Sequence, residues 1–136
     1  FMLRITDACP SAGDTLVVPN ASIMKSGNFA EFTARFGVAA LDRMSHLFVA
    51  KNADSTAVFP GRSFRILAVS TMNKKELRRV LAETVGESAR ANVAVRNFPM
   101  SADELRKRLR LKDGGEIYVF GTTILGKHRI VVCARR

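Results

Sequence analysis

Asn92-Val93-Ala94-Val95-Arg96-Asn97-Phe98-Pro99-Met100-Ser101-Ala102-Asp103-Glu104-Leu105-Arg106-Lys107-Arg108-Leu109 changes its hydrophobic period halfway along. Val93 and Val95 alternate with Ala94 and Arg96, the period of a half-buried strand. Ser101 stands three residues before Glu104, the spacing of a capping box. The serine oxygen accepts from the Glu104 amide while the Glu104 side chain reaches back. Leu105 and Leu109, four apart, share one face of the helix that follows. A strand leading into a capped helix points to a mixed α+β fold, and Asp113-Gly114-Gly115 stops the unit.

Outward from this stretch the same logic continues. Residues 116–123 and 128–135 read as strands joined by a turn at Leu125-Gly126-Lys127. Ile130-Val131-Val132-Cys133 is nearly continuous apolar, as a strand covered on both faces should be. Upstream, residues 74–85 read as a helix with Leu77, Val80, Leu81 and Val85 on one face, preceded by a strand over 64–69. The order after residue 62 is thus β-α-β-α-β-β. In the N-terminal half, residues 15–18 form a strand closed by Pro19, and Asn20 is suited to cap a helix. Phe29, Phe32 and Phe36 make a helical stripe, which Gly27-Asn28 separates from residues 21–25. Gly37 suits a left-handed C-terminal cap. Leu47-Phe48-Val49 reads as a strand and Phe59-Pro60-Gly61 as a turn.

The chain's 136 residues suffice for one ordinary domain or two small ones, and 47% hydrophobic residues support a packed core. Lys and Arg number 22 against 12 Asp and Glu, a net charge of +10. This excludes an acidic metal buffer and points to nucleic acid as the partner. No apolar run approaches the roughly 20 residues of a membrane helix, so no membrane role is expected. Charge is uneven: seven cations against five anions through residue 70, fifteen against seven beyond it, or +2 and +8. The chain opens on Phe1-Met2 without signal-peptide order, which reads as a piece of a longer cytoplasmic protein. Cys9 and Cys133 are expected to be free thiols in a reducing compartment.

The catalytic inventory is thin. His46 and His128 have no metal-ligand spacing, Cys133 has no local base signature, and the nine glycines form no phosphate-binding loop. No catalytic, cofactor-binding or metal-ligating residue is therefore expected here. What remains is basic surface: Lys74, Lys75, Arg78 and Arg79 on one helix; Arg106, Lys107, Arg108, Arg110 and Lys112 on and after the other; and Arg96 between them. Such a field can contact several phosphates at once and release counterions. It can equally be a solvated face, or one matched to an acidic partner.

Residues 92–115, with Tyr118-Val119-Phe120-Gly121-Thr122-Thr123 and residues 130–135, resemble the THUMP-like domain of a bacterial family of class I S-adenosylmethionine-dependent methyltransferases. Residues 19–27, Arg35-Phe36-Gly37, Ser45-His46-Leu47-Phe48 and Phe59-Pro60-Gly61-Arg62 resemble the small ferredoxin-like domain that precedes it in those proteins. The resemblance implies a lead-in over residues 1–14, a ferredoxin-like subdomain over 15–62 and a THUMP-like βαβαββ domain over 63–136. It implies a catalytic domain upstream that uses S-adenosylmethionine, and RNA such as tRNA or rRNA as the partner of this region. The alternative is a structural or protein-interaction module packed against that catalytic domain.

Overall fold

The computed structural model describes residues 2–51, 53 and 56–136. Its strands are β1 (Thr15–Pro19), β2 (Ala39–Ala40), β3 (Phe48–Ala50), β4 (Gly61–Ser70), β5 (Asn92–Arg96), β6 (Ile117–Ile124) and β7 (Lys127–Arg135). The helices are α1 (Ala21–Ser26), α2 (Phe29–Phe36), α3 (Lys74–Thr84) and α4 (Ala102–Arg108). The strands form one sheet in the order β2-β3-β1-β4-β7-β6-β5. Every pair is antiparallel except β5 with β6. That exception follows from the capped helix, because a crossover through α4 returns the chain in the same direction. The α+β class is as expected. The two halves share this one sheet: β1 pairs with β4 from Thr15–Arg65 to Pro19–Gly61 and joins them.

Local sequence sets each helix. Asn20, Asn28 and Asn73 accept from the amides of Ile23, Glu31 and Glu76. Ser101 and Glu104 complete the reciprocal capping box. Gly27 and Gly37 close α1 and α2 in left-handed conformations. The β6–β7 turn is tighter than the sequence suggests. Leu125 and Gly126 both take positive φ, which lets a two-residue turn match the strand twist, so Lys127 already pairs with Ile124.

The alternation along the strands builds two apolar layers. On one face Val119, Ile130 and Val132 meet Leu77 and Val80 of α3 and Leu105 of α4. Gly121 lets α4 sit close, since a Cβ there would stand 2.7 Å from Leu105 and 3.0 Å from Phe98. Val17 and Phe48 face the same way and receive Phe32 of α2. On the other face Phe64, Ile66, Phe120, Val131 and Cys133 pack with Leu16, Val18, Leu41 and Leu47. The sheet curls around this second layer. Leu41, beyond the far edge strand β2, accepts at its carbonyl from the Leu125 amide, and Asp42 accepts from the Gly126 amide at 2.8 Å. Ser45 donates to the Thr123 carbonyl at 2.6 Å, closing the same seam.

Both cysteines are free. Cys9 is exposed, whereas Cys133 is fully buried and burial pushes its thiol up to about 12, against the opposing pull of Arg62. A thiolate-dependent reagent should therefore modify one equivalent in the native protein and two in denaturant. Two equivalents reacting together in the native state would contradict the buried position of Cys133.

Candidate nucleic-acid interface

The cations of the C-terminal half fall into distinct sets. Arg79 of α3 pairs with Glu83 one turn on, at 3.5 Å. Arg106 holds Asp103 at 2.7 Å, reaches Asp113 at 3.8 Å and donates to the Leu111 carbonyl at 3.2 Å. Lys107 also reaches Asp103, at 3.1 Å. Hydrogen bonds from Arg106 and Lys107 hold the Asp103 carboxyl below its usual range. These three cations are partly neutralised on the protein itself, and Arg106 works chiefly to fasten the end of α4.

Lys74 and Arg78 behave differently. They project from α3 toward Arg108 and Arg110 at the end of α4, around a groove of about 530 Å³. Its apolar side is formed by Met72, Leu77, Leu81 and Leu109. None of these four cations has a carboxylate partner among the described residues. Spacing explains the arrangement. Leu77 and Leu81 are one turn apart and turn inward, and Lys74 and Arg78, one turn apart, flank them at the rim. Lys75 and Lys112 are exposed, outside the groove lining.

Arg110 occupies its position at a backbone cost. It has φ 56°, a left-handed conformation that glycine adopts freely. Its amide bonds to the Lys107 carbonyl and the Leu111 amide to the Arg106 carbonyl, both at 3.0 Å. That is the paired C-terminal motif in which glycine is the usual occupant. Arg110→Gly should raise stability by about 0.5–1 kcal/mol while weakening polyanion binding several-fold. Melting and binding measured on one preparation would check this. A variant both less stable and equally tight would show that Arg110 is there for packing.

Arg96 does not join the other expected cations. It lies on β5, on the sheet face opposite α3 and α4, and its guanidinium approaches Met24 of α1 at 4.0 Å. Arg62 comes close enough to repel it. Arg62, Tyr118 and Arg135 gather on this same face. Their strand register brings them together, and no local motif signals it. The two histidines have packing contacts: His46 stacks on Phe29 with centroids 4.6 Å apart, and His128 meets Phe98 edge-on. Among the described residues no group of three or more His, Cys, Asp or Glu side chains is placed to hold a metal ion. No helix there is long and apolar enough to cross a membrane.

Residues 61–135 match the THUMP domain-like family, and residues 16–60 match a ferredoxin-like domain. The chain belongs to the THUMP domain-like family, carried behind a ferredoxin-like segment. The fold is shared with the crystal structure of a "putative methyltransferase" from Porphyromonas gingivalis W83, at 27% identity and a TM-score of 0.79. All of this chain is covered in that comparison but 32% of the other, so it spans about a third of that protein's length. No curated protein matches the chain.

Proposed function

We propose that this chain is the RNA-docking region of an S-adenosylmethionine-dependent methyltransferase and that the α3/α4 groove grips the RNA backbone. The observation that carries the reading is the set of four cations, Lys74, Arg78, Arg108 and Arg110, around one groove with no carboxylate partner among the described residues. Such cations gain most from phosphates, because phosphate contact releases condensed counterions. The apolar floor suits the sugar edge or the stacked face of an unpaired base. THUMP domains generally serve RNA-modifying enzymes, and the similar solved structure belongs to a protein described as a methyltransferase; both support the reading.

In this reading methyl transfer and the cofactor belong to a separate catalytic domain, and the docking region holds cytoplasmic tRNA or rRNA at a fixed distance from it. Lys75 and Lys112 add longer-range attraction that steers encounter. A gel-shift titration of the 136-residue chain against a tRNA transcript at 50 mM KCl tests the reading. A retarded complex at micromolar protein is expected. Free RNA throughout would leave a module that packs against a catalytic domain.

A further inference from the structure

The concave sheet face carries a second cluster that the helical groove does not include. Phe64 lies fully buried at its base. Half-buried Tyr118 stands against it, with ring centroids 4.8 Å apart. The exposed Arg135 guanidinium covers Tyr118 at 5.8 Å, and the exposed Arg62 guanidinium covers Phe64 at 5.5 Å. Arg96 faces the same region from β5. Burial and the neighbouring Arg62 both work against its charge. The Thr122 hydroxyl, directly opposite Arg96 in register, is buried without a hydrogen-bond partner among the described residues. None of these three arginines has a carboxylate partner there either. Beside Arg62 and Arg135 a pocket of about 370 Å³ opens, bordered by Phe59, Gly61 and Ser63.

We propose that this face takes a single-stranded stretch of RNA, with a base stacked on the Tyr118–Arg135 ladder and phosphates on Arg62, Arg96 and Arg135. The proposal rests on the RNA reading above. The cations favour an anion, because Arg62 and Arg96 repel each other, Arg135 adds a third positive charge beside Tyr118, and none of the three has a carboxylate partner among the described residues. Their placement on aromatic rings selects among anions. Tyr118, backed by the buried Phe64 ring and covered by the Arg135 guanidinium, presents π surface at the solvent boundary, which a nucleobase matches and a carboxylate side chain does not. Tolerance of base identity follows, since every base has a π face. RNA would then contact both sides of the sheet, structured RNA on the helices and an unpaired segment on the opposite face.

Tyr118 is the chain's one tyrosine, and there is no tryptophan. Tyrosine emission therefore reports on this site alone. The 136-residue chain is titrated with octauridylate labelled for anisotropy, and emission is corrected for absorption by the RNA. Saturable quenching by at least half is expected, in step with anisotropy. It should persist in Arg78→Ala/Arg108→Ala and require at least tenfold more RNA in Arg62→Gln/Arg135→Gln, whose melting should match the parent. Binding seen by anisotropy with unchanged tyrosine emission would overturn this proposal and leave the helical groove as the RNA site. No binding of octauridylate or of structured RNA by either readout would overturn both. Hexaglutamate displacing octauridylate at equal concentration would show the face to be a site for an acidic protein segment.

Discussion

Gly61→Ala should destabilise the protein by about 3 kcal/mol or more, lowering its melting temperature by roughly 10 °C. Gly61 opens β4 opposite Pro19, with φ 118°. A methyl group there would strike the Val18 carbonyl oxygen and stand 2.7 Å from the Asn20 amide nitrogen. Both are backbone atoms of the β1 end and of the α1 cap, so no side-chain rotation relieves the clash. Because β1–β4 joins the ferredoxin-like and THUMP-like segments, the strain falls on the seam between them. Gly13→Ala is the control. Gly13 has φ 95° but nothing within 4 Å of an added Cβ, so only the conformational penalty of about 1–2 kcal/mol applies. Equal losses in the two variants would mean that the close approach at Gly61 contributes nothing.

Neutralising the groove should have the largest effect on binding. Lys74→Ala, Arg78→Ala, Arg108→Ala and Arg110→Ala combined should weaken RNA binding by about 10²–10³-fold near 0.1 M salt and flatten the plot of log K against log salt by about 3. Arg79→Ala with Lys107→Ala removes cations already paired with Glu83 and Asp103, and should cost less than about tenfold. All these side chains except that of Arg110, whose backbone is strained, sit on regular helix or cap positions and are exposed. Melting temperatures should consequently stay within a few degrees of the parent. Equal losses from the paired and unpaired sets would reduce the site to net charge.

The fold was legible wherever the signal was local. Asn20 and the Ser101–Glu104 box mark helix starts through hydrogen bonds three residues long, and both are present. The alternation at Val93 and Val95 gave β5 for the same reason. Two-residue β2 was missed, because Ala39-Ala40 has no period of its own and is a strand only by pairing with Phe48 and Val49. The curl joining Leu41 to Leu125 was also out of reach, since it depends on contacts 84 residues apart. The interface divides in the same way. Lys74, Arg78, Arg108 and Arg110 stand out as an excess of one charge. Which cations lack a carboxylate partner among the described residues depends on geometry that separates Arg78 from Arg79, adjacent in the chain. Arg96 shares their sign and lies on the opposite face, because a strand residue's side is fixed by register and not by charge. Arg62 and Tyr118 acquire meaning only once β4, β7 and β6 are aligned.

The most direct measurement is photo-crosslinking of a tRNA transcript carrying 4-thiouridine to the 136-residue chain, with the modified peptides identified by mass spectrometry. Crosslinks should concentrate on residues 72–81 and 108–110, the two sides of the α3/α4 groove, and should disappear when Lys74, Arg78, Arg108 and Arg110 are replaced together. Crosslinks absent from both segments, in a complex that still forms, would contradict the groove as the place where RNA docks.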